Sequence, residues 1–138
     1  MVRWPASFGW KSGVGSSVCV SSPPLPSNAP RGQWPVRRVL EHVIWHEQVY
    51  VRMAAHMRGQ PSPGDMPDYT PSTVSDAIEK LAESRRALLD GIEGVDEETF
   101  YRLGKMGFEE YSIVSMLENE SNHEREHAAQ IKKTLNNG

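Results

Sequence analysis

The chain is poor in cysteine. Cys19 is the single one among 138 residues, which excludes an intrachain disulfide framework. It lies in a Ser-rich segment with no histidine near it and reads as an incidental thiol. Long apolar runs are also missing. No stretch approaches the ~18 residues that a membrane span requires. The N-terminus lacks the apolar stretch of ~7–15 residues found in a secretory signal, because Ser, Gly, Pro and Lys interrupt it. No membrane partner is expected, and the cytoplasm is the expected location. An excess of basic charge is missing too: 15 Lys and Arg stand against 18 Asp and Glu, a formal net charge of −3. Arg3, Lys11 and Arg31 are the only charged residues in 1–35, so the acidity belongs to the rest of the chain. An acidic body without a basic stripe argues against nucleic acid as the main partner. Internal repeats and strand-like alternation of more than a few residues are absent as well.

What is present is one domain's length of chain, in two parts of different character. Residues 1–33 are rich in Ser, Gly and Pro and show no periodicity. Such a composition buries too little apolar surface to offset its ordering entropy, so this segment is expected to be disordered or loosely draped. Residues 34–138 carry helical periodicity. A first helix is expected from about Pro35 to Met57, with Val36, Val39, Leu40, Val43, Tyr50, Met53 and Met57 on its apolar stripe. His42 and His46 fall on the same stripe. His56, near the helix end between Arg52 and Arg58, is expected on the surface. Gly59, Pro61, Pro63 and Gly64 break the helix. The connection 58–70 exceeds the two to eight residues usual in bundles, and long ordered loops often cover a site.

A second helix is expected from about Pro71 to Gly91, capped by Thr70. Its stripe is Val74, Ile78, Leu81, Arg85, Leu88, Leu89 and Ile92. A short helix is expected over 96–103. The last helix is expected from about Glu109 to Leu135, with Ile113, Met116, Leu117, Ala128, Ile131 and Leu135 inward. The pattern is that of an all-α bundle.

Chemistry concentrates in Asn122-His123-Glu124-Arg125-Glu126-His127. Two histidines four apart share a helix face, with Cβ atoms ~5–6 Å apart, so both imidazoles can reach one metal ion. The run also spells H-E-x-x-H, a zinc-protease signature. That reading needs a third ligand downstream. Residues 128–138 contain no His, Asp, Glu or Cys, and position 133, where the extended signature requires His, is Lys133. The alternative takes its remaining ligands from His42 and His46 upstream, so that three or four imidazoles converge inside the bundle. Three neutral imidazoles leave a divalent metal an open position, and such a metal generates a nucleophile at neutral pH. Glu120 and Glu124 lie within the apolar stripe of the last helix, where carboxylates are costly unless paired. They are candidate catalytic groups, holding a ligand's second nitrogen or moving a proton, and His46 is a third candidate, as a group supporting the ligands or a substrate contact. The bland alternative is that the histidines are structural and satisfied by Glu neighbours. From the pattern alone both readings stay open.

Two blocks resemble the DinB/YfiT-like superfamily of metal-binding four-helix bundles. Trp34-Pro35-Val36-Arg37-Arg38-Val39-Leu40-Glu41-His42-Val43-Ile44-Trp45-His46 is similar to that family's Trp block leading into a histidine on an apolar helix. Asn122-His123 through His127-Ala128-Ala129-Gln130-Ile131 is similar to its last-helix H-x-x-x-H. The resemblance spans 34–138. It implies an up-down helical bundle with a three-His site for zinc, nickel or a similar divalent ion, the ligands falling on His42, His123 and His127. It further implies a small-molecule substrate and an activity as metal-dependent hydrolase or as transferase of a low-molecular-weight thiol, such as bacillithiol or mycothiol. His46 has no role assigned by it. The family's bundle has a helix before the Trp block, whereas here that region is the Ser/Pro/Gly-rich segment. With the first helix lacking or degenerate, a homodimer is expected to cover the exposed apolar surface. The rival from another class is a non-catalytic helical interaction or stress-response module.

Overall fold

A computed structural model describes residues 22–64 and 68–137. Trp4, Trp10, Cys19 and the expectation of disorder for 1–21 lie outside the described residues. The described residues form four helices and one small hairpin: α1 (Val36–Met57), α2 (Val74–Ile92), α3 (Glu97–Tyr101), β1 (Gly104–Met106), β2 (Glu109–Tyr111) and α4 (Ile113–Asn136). The all-α bundle expected from periodicity is what the chain forms.

Local sequence explains where each helix begins and ends. Pro35 occupies the position before α1, and Arg58 closes the helix. Gly59 then adopts φ 67°. Its N–H donates to the His56 carbonyl while Gln60 N–H donates to the Ala55 carbonyl. This paired reversal satisfies carbonyls that the helix end leaves free, and it favours glycine at the left-handed position. α2 starts three residues later than Thr70 and Pro71 suggested. Thr73 and Asp76 form a reciprocal capping box, each side chain bonding the other's backbone N–H at 3.1 Å. Ser72 is unavailable to a helix because its carbonyl accepts from Leu25 N–H.

The last helix begins at Ile113 rather than Glu109, because Ser112 and Ser115 cap each other there. Residues 104–111 instead form the antiparallel hairpin, with Met106 opposite Glu109 and a two-residue turn. Gly107 takes φ 65° in that turn, the role a tight hairpin reserves for glycine. Strands of three residues are too short to leave a period in the sequence.

Contacts fix the directions. Near the C-terminal end of α1, Tyr50, Met53, Ala54 and Met57 pack with Leu88 of α2 and with Ile113 and Met116 of α4. Near its N-terminal end, Val36 packs with Leu25 and Ala77, flanked by Leu40 and Ile131. α1 and α2 therefore run parallel and α4 runs antiparallel to both. The long connection after α1 is the return path that parallel neighbours require. Residues 22–26, part of the segment expected to be loosely draped, form an extended strap along the start of α2. Leu25 is buried, Val74 N–H donates to the Pro23 carbonyl, and Arg37 donates to the Leu25 carbonyl at 3.2 Å.

The expected apolar stripes hold in the middle and fail at the edges. On α2, Leu88 is buried, but Val74, Ile78 and Leu89 are exposed, because α2 packs mainly on α1. On α4, Ile113 and Met116 are buried, whereas Ala128 and Leu135 face solvent and Thr134 is buried instead.

Candidate metal centre

His42 and His46 stand one turn apart on α1, and His123 and His127 one turn apart on α4. Antiparallel packing of the two helices sets the pairs opposite each other. His42 Nε2 lies 3.0 Å from His123 Nε2, and His123 Nε2 lies 2.9 Å from His127 Nε2. One nitrogen from each of His42, His123 and His127 falls within 4.8 Å of the other two.

These residues fit a divalent ion. Tetrahedral ligands at a Zn–N distance of ~2.0–2.1 Å have nitrogens about 3.3 Å apart, so the two separations from His123, 3.0 and 2.9 Å, need an expansion of only a few tenths of an ångström. The tautomer is also suitable. Gln130 Oε1 lies 2.8 Å from His127 Nδ1, so Nδ1–H donates to the amide oxygen and the Nε2 lone pair is left for a ligand. Burial favours the neutral form of His42 and His123. His42 is pushed below its ordinary value by burial, then by the charges of His127 and Arg38. His123 is lowered by burial and by His127 and His42. His123 Nδ1 is buried with no hydrogen-bond partner among the described residues. A cluster of neutral nitrogens turned on one another satisfies itself poorly with protons and well with a cation.

His46 belongs to the same cluster, outside the group of three whose nitrogens lie within 4.8 Å of one another. Its ring centroid is 4.1 Å from that of His123 and 4.5 Å from that of His42. Burial, followed by the charges of the other three histidines, lowers its pKa to about 4. Its Nδ1 is also buried and unpartnered among the described residues. On the open side of His42 lies a cavity of about 380 Å³ lined by Trp34, Arg38, Glu41, Trp45, Asp68, Tyr69 and Thr70. The connection after α1 thus forms one wall, as its length suggested. Trp34 meets His42 edge-on at 5.4 Å, and the Arg38 guanidinium stacks over Trp34 at 4.5 Å.

Glu120 and Glu124 face another residue. Arg85 of α2 reaches between the helices and binds Glu47 through Nε at 3.0 and 3.2 Å. Its Nη2 also bonds Glu47 and Glu124 and reaches Glu120 at 3.4 Å. Glu47 and Glu120 are buried. Three carboxylates around one guanidinium leave negative charge in excess. Burial, followed by the charge of Glu47, raises Glu120 to about 8. Burial opposes the charge on Arg85, but the hydrogen bonds and charges of Glu47 and Glu124 raise its pKa overall. Carboxylate oxygens of Glu47, Glu120 and Glu124 also lie within 4.8 Å of one another, with Arg85 already among them. Sequence reasoning missed Glu47. The signal was available: it falls between Val43 and Tyr50 on the apolar stripe of α1, opposite an arginine on the stripe of α2.

The geometry separates two spellings of one motif. In H-E-x-x-H the Glu belongs to the metal site, whereas here Glu124 turns to Arg85 and the third imidazole comes from α1. Comparison with curated proteins and with solved structures gives no match. A profile of the DinB superfamily matches residues 5–131. That match reaches further toward the N-terminus than the resemblance in the two histidine blocks, and it takes in nearly the whole chain. The chain belongs to the DinB superfamily.

Proposed function

We propose that the protein is a divalent-metal-dependent enzyme, a hydrolase or a transferase of a low-molecular-weight thiol, with His42, His123 and His127 as ligands and zinc or nickel as the ion. The observation that carries this reading is the triangle of Nε2 atoms with edges of 2.9 and 3.0 Å. A divalent ion held there acts as a Lewis acid and renders a water or thiol nucleophilic at neutral pH.

The chain's own residues do the rest. Gln130 holds the His127 ring in the tautomer that leaves Nε2 free. His46, neutral and beside His123, is suited to contact substrate. Trp34, Trp45 and Tyr69 give the cavity at His42 aromatic walls that exclude water from one side of a small substrate. Glu120 and Glu124 are assigned a positioning role. Through Arg85 they tie α4 to α1 and α2 and so hold the two histidine pairs in register.

The test is metal content after purification. Wild type is expected to hold about one equivalent, and His123→Ala/His127→Ala none. Equal, substoichiometric metal in both would favour a helical module with structural histidines. We also propose a homodimer, supported by the exposed Ile78 and Leu89 on α2. A monomer by sedimentation at micromolar concentration, with a cooperative melt, would refute it.

A further inference from the structure

The cavity at His42 holds about 380 Å³, within the range of small-molecule sites, ~300–1,000 Å³. The function proposed above uses its aromatic walls and leaves its charged side chains unused. Arg38, Glu41 and Asp68 line it together. No side-chain hydrogen bond or ion pair engages any of the three among the described residues, whether with one another or with a fourth group. Arg38 and Glu41 are three apart on α1, a spacing at which opposite charges commonly pair. Here they stay apart and both face the cavity.

The arrangement is held from both sides. The Arg38 guanidinium stacks over Trp34, 4.5 Å from the ring centroid. A stacked guanidinium keeps its in-plane N–H fork for a carboxylate. Trp34 in turn meets His42 edge-on, so the stack fixes Arg38 beside the imidazole cluster, one turn of α1 from His42. Across the cavity, Tyr69 OH donates to the Asp76 carbonyl at 3.3 Å. That bond fastens the connection, and with it Asp68, to α2. Lys80 lies over the Tyr69 ring, but it pairs with Glu83 at 3.2 Å and does not line the cavity.

One guanidinium and two carboxylates thus surround an aromatic-walled space. A purely anionic ligand would answer Arg38 and be repelled by Glu41 and Asp68. A purely cationic one would meet the reverse. A ligand with both charges on neighbouring atoms answers all three. The geometry points to a substrate with an α-amino-acid head, its carboxylate on Arg38, its ammonium on Glu41 and Asp68, and its side chain directed toward His42. The direction of the side chain rests on the metal centre proposed above. Recognition of the head rests on Arg38, Glu41 and Asp68 alone, which are specificity residues.

The test follows the Trp34 indole N–H by proton–nitrogen NMR in the full chain, both zinc-loaded and in chelator. The signal is assigned by its loss in Trp34→Phe. Three probes share one thioether tail: S-methyl-L-cysteine, 3-(methylthio)propanoate, which lacks the ammonium, and 2-(methylthio)ethylamine, which lacks the carboxylate. S-methyl-L-cysteine is expected to shift the signal saturably and to bind at least about tenfold more tightly than either truncated probe, with and without zinc. Arg38→Gln is expected to abolish its advantage over the amine, and Glu41→Gln/Asp68→Asn its advantage over the propanoate. Equal affinities for the three probes, or a preference that survives Arg38→Gln, would overturn the proposal. So would a preference seen only with zinc, which is chelation of the ion by the amino acid. Failure of the wild type to hold zinc refutes the metal reading alone, because the head is bound in chelator as well.

Discussion

Glu120→Gln is the perturbation whose outcome is least intuitive. It removes a charge from a buried ion cluster, yet it is expected to stabilise the protein at alkaline pH. Glu120 is 4% exposed, and one of its oxygens is buried without a partner among the described residues. Its carboxyl is raised from 4.5 to about 8, first by burial and then by Glu47. The folded state therefore binds this proton more tightly than the unfolded state does. The contribution is full below pH ~4.5, falls as pH rises, and is lost by pH ~8. At ~1.4 kcal/mol per pH unit, the ceiling on that loss is about 5 kcal/mol. Arg85, free to adjust toward an ionised Glu120, reduces it, and about 1–3 kcal/mol is the expected size. The histidines act in the opposite sense. His42, His46 and His123 are lowered, so their contribution grows from acid pH up to ~6.5 and is then constant. Comparing wild type with Glu120→Gln cancels that term. The assay is thermal unfolding of both proteins in chelator from pH 5 to 9. The difference in stability, variant minus wild type, should grow with pH and reach about 1–3 kcal/mol at pH 8–9, or some 4–10 °C in Tm. A difference that is flat with pH, or that shrinks as pH rises, would refute the account of the carboxylate cluster.

Two further predictions concern the groups on either side of that cluster. Arg85→Met leaves Glu47, Glu120 and Glu124 facing one another without a cation, and should cost about 3–5 kcal/mol by urea unfolding at pH 7, less at pH 5, toward which the raised carboxyls of Glu47 and Glu120 take up protons. Gln130→Ala removes the acceptor of His127 Nδ1–H and should weaken metal affinity about 10–100-fold with little change in the apo-protein's stability, measured by competition with a chromophoric chelator.

The helices and the imidazole cluster were legible in the sequence for a common reason. Periodic burial places Val39, Val43, Tyr50 and Met53 on one face of α1, and His42 and His46 cannot share that face without meeting a neighbour. Reading which neighbour required only the i,i+4 pair at His123 and His127. The choice of His42 over His46 as the third ligand came from resemblance, since spacing alone treats the two alike. Other features depend on contacts that periodicity does not encode. Thr73 outcompetes Thr70 as a cap because Asp76 answers it and because the strap holds Ser72 extended. Glu120 and Glu124 carried an inward signal, but its cause was Arg85 rather than the imidazole cluster. Leu25 was invisible among prolines and serines, because a strap that buries a single side chain has no period. Val74, Ile78 and Leu89 show the converse: an apolar stripe states what a helix can bury, not what its neighbours cover.

The central claim is that three imidazoles, and not the adjacent carboxylates, form the metal centre. It is tested most directly by a crystal structure of metal-loaded protein with anomalous scattering collected at the metal edge. The account predicts one peak bonded to Nε2 of His42, His123 and His127 at about 2.0–2.2 Å. A peak among Glu47, Glu120 and Glu124 with Arg85 displaced, or a peak that lacks His42, would contradict it.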